Sequence, residues 1–238
     1  ASDVYKRQEE DGGSGGNLIY GGVSVSQEVL AHKPMLEKYA RESGIEEYLN
    51  VLLAIIQVES GGTLEDVMQS SESLGLPPNS LSTEESIKQG CKYFSELLAA
   101  AETKGCDLNS VIQSYNYGGG FLDYVAGRGK KYTFELAESF ARDKSGGKKV
   151  TYTTPVAVEK NGGWRYSYGN MFYVLLVSQY LTVAQFDDET VQAIMEEALK
   201  YEGWTYVYGG DSPSTSFDCS GLVQWCYGCL LYTSDAAD

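Results

Sequence analysis

The sequence predicts a mainly α-helical domain followed by a short, incomplete α+β segment. Up to about residue 182, apolar residues recur at helical spacing, with capping and stop signals between the runs. After residue 200 the pattern changes: a β-prone aromatic run, WTYVYGG, leads through a Gly/Pro/Ser loop to a cysteine at a helix start. The length of 238 residues and an apolar content of 42% suffice for one complete domain, or one plus a fragment.

Residues 1–8 (ASDVYKRQ) and the tail from 230 to 238 have no periodicity and read as non-native segments, and Glu9 to Gly16 (EEDGGSGG) reads as a flexible linker. The helical domain is placed at 17–182. Its first predicted helix runs from Pro34 through Leu36, Tyr39 and Ala40 to a stop at Gly44, and a second covers Glu46 to Glu59. A third starts at the capping box Ser82-Thr83-Glu84-Glu85, places Ile87, Cys91, Phe94, Leu97 and Leu98 on one face, and ends near Gly105. Further helices are predicted over Leu108 to Tyr115, Thr133 to Lys144 and Gly169 to Leu181, with an irregular stretch from Lys148 to Arg165. A linker at 183–187 follows. Asp187 or Asp188 then caps an amphipathic helix through Val191, Ile194, Ala198 and Leu199, the opening of a second region at 188–229.

A net charge of −15 and a pI near 4.5 argue against nucleic acid or an anionic membrane as partners, because both are bound through clustered Lys and Arg. The longest apolar runs, Val51 to Val58 and Met171 to Leu176, are too short to span a bilayer, so membrane attachment would require a signal or anchor lost before Glu9. The five cysteines form no metal-ligand spacing with the single histidine, His32. Free thiols are expected, with a Cys91–Cys106 bridge as the alternative.

Glu59 ends an almost wholly apolar helix and is followed at once by Ser60-Gly61-Gly62. A half-buried carboxyl there is driven toward its neutral form, and a protonated acid near neutral pH can donate to a leaving glycosidic oxygen. The alternative is a helix-exit glutamate solvated by the glycine loop. Four motifs occur in order: Glu59-Ser60-Gly61-Gly62, Val67-Met68-Gln69-Ser70, Ser114-Tyr115-Asn116-Tyr117-Gly118, and Tyr168-Gly169-Asn170 leading into Met171-Phe172-Tyr173-Val174. Together they resemble the lysozyme-like muramidase domain of bifunctional cell-wall hydrolases carried by conjugative elements of Gram-positive bacteria, relatives of goose-type lysozymes and lytic transglycosylases.

The resemblance implies Glu59 as the general acid and Gln69, Ser70, Tyr115, Asn116 and Tyr173 as residues of the sugar cleft. For the second carboxylate, Asp66 stands seven residues after Glu59, beside the Met-Gln motif, where those hydrolases carry an aspartate. Its alternative role is to cap the turn before Val67. Glu65 is the other nearby candidate, and Glu72 reads as solvated. With 19 tyrosines in the chain, most are core or surface filler. No metal or organic cofactor is implied, since glycoside hydrolysis needs only carboxyls and water.

The run Gly203-Trp204-Thr205-Tyr206-Val207-Tyr208-Gly209-Gly210, the Pro213 loop and Phe217-Asp218-Cys219-Ser220-Gly221 resemble the front of an NlpC-type papain-like cysteine peptidase. This implies Cys219 as nucleophile, with Tyr206, Asp218 and Ser220 around the oxyanion hole or stem-peptide site. A thiolate needs a histidine or helix N-terminus beside it, and the only histidine lies far upstream. The peptidase domain is therefore expected to be truncated and inactive, with Trp204, Phe217, Leu222 and Trp225 left exposed. The resemblance as a whole implies work on peptidoglycan outside the cytoplasmic membrane, possible conjugation-apparatus partners, and, as alternatives, a lytic transglycosylase or a non-catalytic wall-binding scaffold.

Overall fold

The structure is a computed structural model that describes residues 19–184, 189–205, 207, 210–214, 216–217, 221–222 and 225–226. It separates into two compact units, one of residues 22–182 and one that includes residues 183–238.

The first unit is built of short helices around one long one. Strand β1 (Ile19–Val23) leads into α1 (Gln27–Leu30) and α2 (Lys33–Glu42), followed by a 3-10 turn (Glu46–Tyr48) and α3 (Leu49–Ser60). Helix α3 runs through the interior: Val51, Leu52, Leu53, Ala54, Ile55 and Ile56 are all buried, as expected of a helix apolar on every side. A second 3-10 turn (Ser71–Leu74) precedes α4 (Thr83–Lys104). The capping box predicted at Ser82 is present, with Ser82 Oγ accepting from the Glu85 N–H and the Glu85 carboxylate accepting from the Ser82 N–H, and α4 stops at a left-handed Gly105. Helices α5 (Leu108–Tyr117), α6 (Gly120–Ala126) and α7 (Phe134–Ser145) complete this part, α5 capped by Asp107 and α7 by Thr133.

Residues 148–166 are more ordered than the sequence predicts. Strands β2 (Lys149–Thr151) and β3 (Trp164–Tyr166) pair antiparallel, with Val150 opposite Arg165, and enclose α8 (Pro155–Asn161). The predicted helix over Gly169 to Leu181 contracts to α9 (Tyr173–Ser178), because Asn170 turns the chain instead: its side-chain oxygen accepts the Phe172 N–H at 2.9 Å. Strand β4 (Leu181–Ala184) follows. An aromatic cluster joining Tyr117, Phe121, Phe140, Tyr166 and Phe172 holds α5 to α7 against this segment. The Ser24 N–H donates to the Tyr180 carbonyl at 2.8 Å, closing the two ends of the unit on each other.

In the second unit α10 (Glu189–Leu199) is amphipathic, and β5 (Asp211–Ser212) pairs antiparallel with β6 (Ser216–Phe217). The proposed caps Asp187 and Asp188 lie outside the described residues. Exposure of the aromatics holds only for Trp204, 47% exposed; Phe217 is buried, packed on Tyr201 with ring centroids 4.8 Å apart, and Leu222 and Trp225 are half-buried. A local hydrophobic cluster thus forms from helix and hairpin. Cys91 and Cys106 carry free thiols.

Candidate active site

Glu59 lies in the last turn of α3, where the buried helix reaches the surface, and is itself half-buried. Helix α9 packs against α3 and α5, which brings Tyr173 to it. The Tyr173 hydroxyl, from a residue only 2% exposed, donates to Glu59 Oε1 at 2.8 Å. Burial pushes the Glu59 carboxyl up to about 7; the Tyr173 hydrogen bond opposes this, while the charges of Asp66 and Glu72 add to it. Near neutral pH a large share of Glu59 therefore keeps its proton.

Asp66 has the opposite surroundings. It is 1% exposed, and both of its oxygens are occupied. Oδ1 accepts from the Ser70 N–H at 3.1 Å and the Ser86 hydroxyl at 2.6 Å, and Oδ2 from the Ser71 hydroxyl at 2.5 Å and the Ser71 N–H at 3.4 Å. Burial pushes its pKa up, but these donors together outweigh burial and hold the carboxyl below the usual aspartate range. Asp66 thus organises the 66–71 turn from within and presents no free oxygen to a substrate.

The other residues implied for the cleft divide between support and surface. Ser70 is buried, its hydroxyl donating to the Ser86 carbonyl at 2.8 Å. Tyr115 is 7% exposed and its hydroxyl donates to the Met68 carbonyl at 2.7 Å, so it fixes the Met-Gln turn from below. That turn reaches α4 at Gly90, where a Cβ would stand 2.5 Å from the Met68 sulfur. Gln69 is half-buried with φ 49°, an uncommon left-handed geometry for a side chain of its size, matched by Asn79 at φ 59°. Gln69 Nε2 donates to the Asp66 carbonyl at 2.8 Å and to Asn79 Oδ1 at 2.7 Å. Asn116 is half-buried; its Oδ1 accepts the Asn170 N–H at 2.7 Å. The Gln69 amide oxygen and the Asn116 amide nitrogen have no partner among the described residues, which leaves one acceptor and one donor open.

Asn79 and Tyr93, half-buried with its ring 5.5 Å from that of Tyr115, belong to this region and were not singled out by the sequence. Asn79 carries only a Pro-Asn turn signal, and Tyr93 only the helical spacing of α4 next to Phe94. Glu65 and Glu72 are exposed, Glu72 close enough to act on Glu59. Cys219, Tyr206, Asp218 and Ser220 lie outside the described residues. Among the described residues no group of three or more His, Cys, Asp and Glu side chains is placed to hold a metal ion, and no helix is long and apolar enough to cross a membrane.

Glu59 thus sits half-buried at the exit of an apolar helix, bonded to Tyr173 and within electrostatic reach of Asp66 and Tyr115. The lysozyme-like family model matches residues 26–181. The chain belongs to the lysozyme-like family. Within it, the chain is 40% identical over 221 residues to the bifunctional muramidase/DL-endopeptidase CwlT of Bacillus subtilis, a match covering 90% of this chain and 62% of CwlT. The chain thus spans less than two thirds of that relative. It is 35% identical to a pneumococcal vaccine antigen A homolog of Streptococcus pyogenes, over 62% of this chain and 78% of the homolog. A solved Staphylococcus aureus protein of the NLP/P60 family, described as similar to lipoprotein, is 71% identical with a TM-score of 0.68, covering 87% of this chain and 71% of its own. The lysozyme-like unit and an NLP/P60-related segment after it agree with the mainly α fold followed by a papain-like part.

Proposed function

We propose that this lysozyme-like protein cleaves the glycan strand of peptidoglycan between N-acetylmuramic acid and N-acetylglucosamine, with Glu59 as the general acid. The observation that carries this reading is the Glu59 carboxyl, pushed up to about 7 by burial, at a partly open site. Proton donation to a leaving oxygen is most effective when the acid's pKa lies near the working pH. Tyr173 fixes the orientation of the carboxyl through Oε1. Gln69 and Asn116 supply the amide contacts to the sugar, and Tyr115, Ser70 and Asp66 hold the turn that carries Gln69.

Asp66 acts in this reading as the anchor of that turn and not as the base, since its oxygens already accept four hydrogen bonds. The same observation favours a second reading: with the paired carboxylate saturated, Glu59 can serve both proton transfers, and the sugar's own 6-hydroxyl attacks as in a lytic transglycosylase. A wall-binding scaffold that holds glycan in the same cleft is the non-catalytic alternative.

The resemblance around Cys219 and the bifunctional and NLP/P60 relatives support a D,L-endopeptidase as a second activity. We propose no such activity for the chain as given, whose sequence holds a single histidine, His32. Action on peptidoglycan places the work in the wall or on the outer face of the membrane, with local wall opening during conjugative transfer as the role the resemblance implies.

Mass spectrometry of purified peptidoglycan digested by the chain and by Glu59→Gln tests the reading. Reducing N-acetylmuramic ends that vanish in the variant establish a muramidase. Anhydro ends establish the transglycosylase, and no Glu59-dependent product from folded protein leaves the scaffold.

A further inference from the structure

His32 stands immediately before α2 and is half-buried. Its Nε2 lies 2.8 Å from the Gly62 carbonyl oxygen, which can only accept, so this nitrogen carries the hydrogen. Gly62 follows Glu59 by three residues. It has φ 78°, and a Cβ there would lie 2.8 Å from the backbone of Glu28 and Val29, so the glycine loop lies flush on α1. On the other side of Glu59, the Ser26 N–H donates to Gln57 Oε1 at 2.8 Å. Ser60 ties the glycine loop to the following turn: its hydroxyl accepts the Gly62 N–H at 3.1 Å and donates to the Val67 carbonyl at 2.7 Å. Residues 26–32 therefore brace the last turn of α3 both before and after Glu59, and His32 is the one side chain of that segment bonded to the loop after Glu59.

We propose that His32 is a positioning residue for Glu59: its hydrogen bond to Gly62 keeps the end of α3 closed, holding the carboxyl at its angle and out of bulk water. This rests on the reading of Glu59 as the catalytic acid. Helix ends fray because their last carbonyls lack helical partners, and a glycine pair just beyond the end offers little resistance. If the loop lifts from α1, water reaches Glu59. The titratable groups that act on Glu59 in the closed state are Tyr173, Tyr115, Asp66 and Glu72, none of them on the bracing segment. A change in Glu59 on altering His32 must then come through the loop.

The test follows the Glu59 carboxyl by carbon-13 NMR titration of the full chain, identified by its loss in Glu59→Gln. In His32→Ala the pKa of Glu59 is expected to fall by roughly one unit as hydration returns. His32→Gln, which keeps a donor of similar reach, restores it. In peptidoglycan digestion His32→Ala lowers kcat by about tenfold with KM unchanged, inside the range that a small misplacement costs. Should the alanine variant fail to fold, His32→Leu, which fills the space without a donor, replaces it. A folded variant without the donor whose Glu59 titrates as in the wild type overturns the proposal, as does failure of glutamine to restore. If the wild type cleaves no glycan, the glycosidase reading fails, and the titration still decides the role of His32.

Discussion

At the end of α3, Glu59 meets one hydroxyl donor, Tyr173, and an apolar helix behind it; in the turn that follows, Asp66 meets four donors from Ser70, Ser71 and Ser86. Both carboxyls are taken from water, yet one is pushed up to about 7 and the other is held below its usual range. Burial alone does not decide the charge of a carboxyl; the number of hydrogen-bond donors aimed at it does. The difference sorts the roles. A carboxyl with a proton and an open side can do acid chemistry, whereas one saturated from within can hold a turn.

The largest effect expected from this contrast is on catalysis. Glu59→Gln keeps the shape of the site and removes the transferable proton, and glycan cleavage is predicted to fall by about a thousandfold, within the usual range for a general acid, with an unchanged circular dichroism spectrum. Asp66→Ala is predicted to act through the fold. It strands at least the Ser71 and Ser86 hydroxyls, and at about 1–3 kcal/mol for each buried unpaired donor the loss is roughly 4 kcal/mol, read by urea denaturation. Equal stability of this variant and the wild type would erase the contrast.

The two carboxyls also pull stability in opposite directions with pH. Glu59 is protonated in both states below about 4.5, where its contribution is fully present; as pH rises toward about 7 the unfolded chain ionises first, and that stability is lost. Glu59→Gln is therefore predicted to be more stable than the wild type at pH 8, by up to about 3 kcal/mol at 1.36 kcal/mol per unit, with little difference at pH 4. Asp66 runs the other way: its contribution is present above its ordinary range and is lost as the solution is acidified through its lowered value. The smallest effect is expected at Tyr173→Phe. Loss of a donor to the ionised form raises the Glu59 pKa further, by about one unit, and moves the alkaline limb of activity upward.

Much of this arrangement was legible in the sequence because the signals are local. Apolar spacing, the Ser82 capping box and Gly105 marked the helices, and Glu59 followed by Ser60-Gly61-Gly62 marked a carboxyl at a buried helix exit. What could not be read depends on contacts across the chain. The 148–166 hairpin rests on pairing with no strong alternation in either strand, and the shortened α9 rests on one asparagine side chain. Ser86 is twenty residues from Asp66, and in sequence it is only a small residue on a helix; its hydroxyl helps decide that Asp66 is a turn anchor. His32 likewise shows no motif, and its partner is a backbone carbonyl thirty residues on.

Whether Glu59 works as a protonated acid near neutral pH is decided by the pH dependence of kcat/KM on purified glycan strands. An alkaline limb is expected at about 7, where Glu59 loses its proton, and it is expected to be absent from any residual activity of Glu59→Gln. Activity that stays flat from pH 6 to pH 9, or an alkaline limb that persists in the variant, would contradict it.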